Sequence, residues 1–142
     1  MIYNRTYSDN DTENEINNLI GKSFSFLKIL KLGGVGSSRF IIESASEKFL
    51  NSLNKVADIN YCNIELRPKG VMVNITQQLN LHSWVIPYYK LVIFDSQSFS
   101  IHCDGLNIKL TKDRNYRNNK SFNSKMMKLK NEYLKNIESP LN

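Results

Sequence analysis

Apolar and polar residues alternate between residues 61 and 76, and a short basic turn divides this stretch in two. A period of two predicts two half-buried antiparallel strands, with one face of each strand in the core. In the turn "RPKG", Pro68 has the fixed φ of a type I turn and Gly70 accepts a positive φ. Geometry alone therefore explains this turn as a corner of the sheet. The predicted core positions are Cys62, Ile64, Leu66, Val71, Val73 and Ile75.

The stretch "HSWVIPYYKLVIF", residues 82–94, reads as one long third strand. Pro87 lacks the N–H that a strand ladder needs, so we expect a bulge or a sheet edge at this position. A bulge resets the alternation of faces, which leaves open whether Tyr88 or Tyr89 points outward.

Two further strands, "SFSIHC" and "LNIKLT", are joined by Asp104-Gly105, a strong signal for a two-residue hairpin. Together with the preceding three strands they predict a five-stranded meander. A polar loop at 112–121 then leads to a C-terminal helix, which we expect to end near Pro140. Its apolar stripe, at spacings of three and four, consists of Phe122, Met126, Leu129, Tyr133 and Ile137.

The N-terminal half is less regular. The "TENE" pattern predicts a helix capped by Thr12 and ending at Gly21. At 23–32, "SFSFLKILKL", strand and helix compete, and we favour a strand that pairs with "RFIIES" at 39–44. Ser46 is expected to cap an inserted helix ending near Ala57, with an apolar face formed by Phe49, Leu50, Leu53 and Val56.

These elements predict an α+β fold: a strongly bent antiparallel sheet or partial barrel, with one inserted helix and a C-terminal amphipathic helix packed on the sheet. We expect a short, partly flexible N-terminal helical segment at 1–22, a single domain at 23–138 and a flexible tail at 139–142. The order of elements, with "WVIPYYKL" at 84–91, resembles bacterial pleckstrin-homology-like domains. The strand sequences are also similar to small hypothetical bacterial proteins. The resemblance implies a pleckstrin-homology-like barrel and no particular chemistry.

Length and composition are those of one soluble domain. The chain has 142 residues, of which 41% are hydrophobic, and no apolar run reaches the roughly 18 residues of a membrane span. The first residues lack the pattern of a secretory signal, so we expect a cytoplasmic location. Cys62 and Cys103 fall on predicted inward positions. We therefore expect them to be small buried hydrophobic residues that form no disulfide.

The positive charge lies at one end of the chain. Residues 1–108 carry ten Lys and Arg against ten Asp and Glu, whereas residues 109–142 carry nine against three, which accounts for the whole net charge of +6. Heavy use of Asn, Lys and Ile is also what an AT-rich genome produces. The candidate anion-binding residues are Lys109, Lys112, Arg114, Arg117, Lys120, Lys125 and Lys128.

Catalytic patterns are weak throughout the sequence. Cys62, His82, His102 and Cys103 have no zinc-binding spacing, and His102 and Cys103 point to opposite faces of one strand. The turn "GGVGSS", residues 33–38, lacks the spacing of a phosphate loop, and no paired carboxylates suggest acid–base work. We therefore expect a protein that is not an enzyme, with no metal and no cofactor.

Two binding functions remain, and the sequence does not give an oligomeric state for either. The first is interaction with a protein partner, through an edge near Pro87 or through exposed aromatic residues. The second is an anion-binding module in which the basic C-terminal segment contacts phosphates of lipid headgroups or nucleic acid. The candidate interaction residues are Trp84, Pro87, Tyr88 and Tyr89.

Overall fold

The computed structural model describes residues 1–7, 9–52, 60–77 and 79–138. The strands in these ranges are β1 (Ile2–Asn4), β2 (Phe40–Ala45), β3 (Asn60–Leu66), β4 (Gly70–Gln77), β5 (Asn80–Pro87), β6 (Val92–Asp95), β7 (Phe99–Cys103) and β8 (Leu106–Leu110). The helices are α1 (Asn10–Ile20), α2 (Phe26–Leu32), α3 (Arg114–Asn118) and α4 (Lys120–Glu138). Two short 3₁₀ turns span Glu47–Ser52 and Tyr88–Lys90.

The strands form one antiparallel sheet in the order β1-β5-β4-β3-β2-β8-β7-β6. β5 and β6 follow one another along the chain but lie six strand spacings apart in the sheet, which is about 29 Å if the sheet is flat. The link from Pro87 to Val92 can span at most about 18 Å. The sheet must therefore curve strongly. It is not closed, and the α+β class of the prediction is confirmed at this level.

The concave face of the sheet holds the main core. The alternating positions predicted for β3 and β4 are all buried there, which confirms the two-residue period. Helix α4 covers this face: Phe122 and Met126 are buried, and Leu129 and Tyr133 pack against the same core. Ile137, the last member of the predicted stripe, is instead 50% exposed.

Helix α1 covers the opposite face of β4 and β5. Ile16 and Ile20 are fully buried in a second, smaller core with Tyr3, Met72 and Val85. The predicted cap residue was wrong: the Asp9 carboxylate accepts the N–H of Asp11, so α1 begins before Thr12. The predicted end at Gly21 is confirmed, because Gly21 is the C-cap of the helix.

The predicted strand at 23–32 was wrong, because Phe26–Leu32 is the helix α2. Signals at both ends favour the helix: the Ser25 hydroxyl accepts the N–H of Lys28, and Gly33 has the left-handed conformation typical of a helix end. The predicted hairpin between 23–32 and 39–44 is therefore absent. β2 pairs instead with β3 on one side and β8 on the other.

The inserted helix is a 3₁₀ turn over its described part, Glu47–Ser52. Ser46 does not cap it through its side chain: the Ser46 hydroxyl accepts the N–H of Asn107 at 2.8 Å and thereby ties the turn to β8. Phe49 is buried with its ring edge against Trp84. Leu53, Val56 and Ala57 lie outside the described residues.

The long third strand is divided in two. β5 ends at Pro87, which has no N–H to continue a ladder, and the turn Tyr88–Lys90 carries the chain to β6 at the far edge of the sheet. The single five-stranded meander was therefore wrong, since β3-β4-β5 and β6-β7-β8 are separate meanders on either side of β2. Part of the predicted polar loop at 112–121 is the helix α3.

The two predicted turns differ in outcome. Asp104 and Gly105 both have positive φ, 51° and 80°, and join β7 to β8 as the hairpin signal predicts. "RPKG" is a corner between β3 and β4, but Gly70 has no positive φ. A Cβ at Gly70 would lie 2.3 Å from the carbonyl oxygen of Ile86 and 2.5 Å from Ile20, so glycine is required there by close packing.

Within the described residues, no helix has the length and apolar character needed to cross a membrane. The predicted tail at 139–142, which includes Pro140, lies outside the described part of the chain.

Candidate functional site

A groove of about 740 Å³ lies between the edge strand β6 and the helix α4. Its sheet side is formed by Ile93 and Asp95 of β6 and by Phe99 of β7. On α4 the lining residues recur at spacings of three and four, so they share one face of the helix, next to the face that packs on the core. The principal α4 residues of the groove are Ser124, Met127, Lys128, Asn131, Glu132 and Lys135.

The groove has an apolar floor and a charged rim. Phe99 is buried, and Ile93 and Met127 are half-buried between the sheet and the helix. Lys128, Glu132 and Lys135 are exposed along the α4 side. An apolar floor with a few polar groups around it is the usual composition of a binding site.

β6 forms one edge of the sheet. It pairs with β7 and, among the described residues, with no second strand. Alternate residues of such a strand direct their N–H and C=O groups away from the sheet, where they can bind another extended chain. Val92 and Phe94 are 45% and 56% exposed on the face opposite the groove. β6 contains neither proline nor lysine, which commonly block pairing at natural sheet edges.

The amide of Asn123 lies beneath the groove surface. Neither its Oδ1 nor its Nδ2 has a hydrogen-bond partner in the described structure, although both atoms are buried. A side-chain amide offers the same donor and acceptor groups as a peptide unit. A buried polar group without a partner costs about 1–3 kcal/mol, so a ligand that reaches Asn123 would recover part of that cost.

One end of the groove is fixed by Asp95. Its carboxylate lies 2.5 Å from the Lys112 ammonium and accepts a hydrogen bond of 2.8 Å from the Tyr116 hydroxyl. The hydrogen bond from Lys112 is the main reason why the pKa of Asp95 is lowered, and the Tyr116 hydrogen bond acts in the same direction. The pKa of Tyr116 is raised, mainly by burial. These contacts tie α3 and the end of β8 to β6.

The four candidate interaction residues occupy different environments. Trp84 and Tyr88 are core residues, at 1% and 0% exposure, and Pro87 is buried at the end of β5. Tyr89 is 62% exposed, which answers the question of which tyrosine faces outward. Burial raises the pKa of Tyr88, whose hydroxyl donates to the carbonyl oxygen of Arg67. Pro87 ends β5, which lies next to the edge strand β1, whereas β6 is the edge strand at the opposite end of the sheet.

The seven candidate cations are spread over several elements. Lys112 is held by Asp95, and Lys125 donates hydrogen bonds to the carbonyl oxygens of Gly33 and Gly34. Lys109 is exposed on β8 and Lys128 on α4. The exposed members on α3 and at the start of α4 are Arg114, Arg117 and Lys120.

The potential nucleophiles are buried thiols, and the potential metal ligands of the described residues are not grouped. Cys62 and Cys103 are free and buried, and burial raises the pKa of Cys62 to about 12 and also raises that of Cys103. His102 faces away from the core, with its ring edge against Phe94. Across the described ranges, no three His, Cys, Asp or Glu side chains are grouped so that they could hold a metal ion.

Comparison with protein-family models, with curated proteins and with solved structures finds no match to the chain. The groove must therefore be interpreted from its own chemistry.

The sequence predictions missed this groove, although one of its two sides left a signal in the sequence. The strand order, which makes β6 an edge, is not visible in local patterns. The α4 face was visible: Asn123, Met127 and Asn131 recur every four residues beside the apolar stripe, and a second stripe with one methionine among polar residues is a usable signal.

Proposed function

We propose that this protein is a non-catalytic interaction domain that binds an extended segment of a partner protein in the groove between β6 and α4. The main support is that an unpaired strand edge lies directly beside a groove with an apolar floor. An extended peptide added to a sheet edge gains main-chain hydrogen bonds, and alternate side chains enter pockets beside that edge.

The chemistry of the groove favours a particular kind of segment. Every second side chain of a strand added to β6 would point towards Ile93 and Met127, so these positions should be apolar. The rim carries Lys128 and Lys135 against Glu132, while Asp95 is already neutralised by Lys112. We therefore propose a segment with alternating apolar residues and at least one acidic residue facing α4.

A matched pair of variants tests this proposal. Asn131 and Asn136 are both exposed on α4, but only Asn131 is a groove residue. Peptides that bind the wild-type protein are selected from a displayed random library, and their affinities for Asn131→Trp and Asn136→Trp are compared. A tryptophan at position 131 fills the groove, so binding should fall by about tenfold or more, whereas the Asn136→Trp variant should bind like the wild type. Equal binding to both variants would contradict the proposal.

The fold itself is proposed to be pleckstrin-homology-like, as the resemblance of "WVIPYYKL" implies. A strongly curved antiparallel sheet with a C-terminal helix across its concave face supports this proposal. The eight-stranded open sheet and the additional helices α1 and α2 are departures from a simple closed barrel.

Phosphate binding through the basic C-terminal segment is a second proposed function. Its support is the exposure of Arg114, Arg117 and Lys120, which recur at every third position. This second function predicts that their combined reversal to Glu abolishes binding to anionic vesicles or nucleic acid without unfolding the protein. Binding that persists in this variant would exclude the segment as the site.

A further inference from the structure

Helix α2 presents an unusually apolar surface to solvent. Phe26 is 73% exposed, Leu27 is 72% exposed and Leu30 is 61% exposed. Leu27 follows Phe26 directly and Leu30 follows it after four residues, so the three side chains lie on one side of the helix. Ile29 and Leu32, on the opposite side, are half-buried. Three large apolar side chains grouped in this way, unlike a single exposed leucine, indicate a contact surface.

This helix is held by its ends and not by burial of its outer face. The Ser25 hydroxyl accepts the N–H of Lys28, and the N–H of Gly34 donates to the carbonyl oxygen of Ile29 at 2.9 Å. Lys125 of α4 binds the carbonyl oxygens of Gly33 and Gly34. The apolar side of α2 is therefore preformed, so little ordering is needed before it contacts another surface.

The surroundings of α2 are cationic. Between residues 16 and 42 the sequence contains four Lys and Arg residues and no Asp or Glu. Lys28 and Lys31 of α2 line a second groove, of about 490 Å³, together with Lys125 and Lys128 of α4. Among the described residues that line this groove, Glu132 is the one acidic residue. Positive charge from two helices therefore lies along the side of α2 that faces α4, and Lys31 brings it to the border of the apolar side.

We infer that α2 is a membrane-contact site, which inserts Phe26, Leu27 and Leu30 into the interface of a bilayer that contains anionic phospholipids. Lys31, which borders the apolar side next to Leu27, and Lys28, farther around the helix, would bind the headgroup phosphates. An apolar helix side with lysines next to it is the arrangement used by helices that lie in a membrane interface. The attraction of the lysines to anionic lipid adds to the burial of the apolar side chains.

The size of the patch favours a bilayer over a protein partner. A large aromatic side chain buries roughly 150–250 Å², so three partly exposed side chains supply a few hundred Å². Each partner in a stable protein complex buries about 800 Å². A bilayer needs no complementary surface of that size. The groove at β6 is a neighbour of the second groove and shares Ser124, Lys128 and Glu132 with it, but Phe26, Leu27 and Leu30 line neither groove.

The test measures binding of the full chain to vesicles of phosphatidylcholine with roughly one third phosphatidylserine, and to vesicles of phosphatidylcholine alone. The wild-type protein should bind the anionic vesicles more tightly. Leu27→Ser should weaken this binding about tenfold. The matched control is Leu79→Ser, because Leu79 is 93% exposed and lies outside α2; this variant should bind like the wild type. Lys28→Glu with Lys31→Glu should remove the preference for anionic vesicles.

A spectroscopic variant reports the site directly. In Phe26→Trp the added indole fluorescence should shift to shorter wavelength on binding anionic vesicles, whereas Tyr7→Trp, at a position 86% exposed, should show no shift. Absence of vesicle binding would overturn the inference, as would binding that survives Leu27→Ser but is lost when Arg114, Arg117 and Lys120 are reversed. A wild-type dimer that Leu27→Ser dissociates would also overturn it, by identifying α2 as a protein interface.

Discussion

The hydroxyl of Tyr88 donates a hydrogen bond of 2.8 Å to the carbonyl oxygen of Arg67. This contact joins the link between β5 and β6 to the corner between β3 and β4. The backbone of the link is bound to the same corner, because the N–H of Tyr88 donates a hydrogen bond to the carbonyl oxygen of Lys69. The crossing that places β6 at the far edge of the sheet therefore begins from a fixed point.

The Tyr88 hydroxyl should contribute measurably to stability. Tyr88→Phe removes the donor and leaves the carbonyl oxygen of Arg67 without this partner, which should lower the free energy of unfolding by about 1–3 kcal/mol. Urea unfolding measures the change. Tyr89→Phe is the matched control, because Tyr89 is 62% exposed, and it should change stability very little. Equal effects of the two substitutions would show that the Tyr88 contact is unimportant.

Gly70 should tolerate no side chain. A Cβ at this position would lie 2.3 Å from the carbonyl oxygen of Ile86. Because this oxygen belongs to the backbone of β5, the clash can be relieved only if β5 moves. Gly70→Ala should therefore destabilise the protein by about 1–3 kcal/mol. Gly36→Ala serves as the control, since no atom lies within 4 Å of its Cβ position and its φ is not positive. Thermal unfolding of the two variants should differ clearly, and similar melting temperatures would contradict the packing argument.

The contact between Asp95 and Lys112 should make stability depend on acid pH. The pKa of Asp95 is lowered in the folded protein, so its contribution is complete above the ordinary aspartate pKa of about 3.9 and is lost as the pH falls through the folded value. The effect should stay below about 1 kcal/mol, because the Asp95 side chain is 47% exposed.

Urea unfolding of the wild type and of Asp95→Asn between neutral and acid pH measures this contribution. The difference between them should shrink as the pH falls. If the difference in the free energy of unfolding instead grew towards acid pH, the pKa of Asp95 would be raised in the folded protein, which contradicts this account.

Both cysteines should be unreactive in the folded state. The thiolate is the reactive form, and burial raises the pKa of Cys62 to about 12. The reaction with Ellman's reagent at mildly alkaline pH should therefore be no faster than unfolding, and denaturant should release both thiols. A thiol that reacts within seconds in the native protein would contradict their burial and reopen a nucleophilic role.

Local patterns predicted those parts of the fold that local physics determines. The two-residue period of β3 and β4, the turn at Asp104-Gly105 and the stripe from Phe122 to Tyr133 each depend on near neighbours in the chain. Residues 23–32 were predicted wrongly because their apolar residues fit both the two-residue period of a strand and the 3.6-residue period of a helix. The caps at Ser25 and Gly33 favour the helix. The requirement for Gly70 arises from Ile86 and Ile20, which no local pattern places beside it.

The position of the candidate site depends more strongly than these local elements on how distant strands pair. Trp84, Pro87 and Tyr88 were interaction candidates because a bulge or a sheet edge was expected at Pro87, within one long third strand. The chain instead leaves β5 there and crosses to the opposite edge of the sheet. Burial of Tyr88 and exposure of the β6 edge both follow from this crossing, which the alternation of residues does not encode.

Hydrogen exchange at β6, measured by NMR with and without a selected peptide, tests the groove proposal most directly. If the peptide adds as a strand, amides of alternate β6 residues that face the free edge should exchange more slowly, and the signals of the Asn123 side chain should shift. Unchanged exchange throughout Val92–Asp95, with protection at α2 or at the β3–β4 corner instead, would show that partners bind elsewhere and would contradict the proposed function.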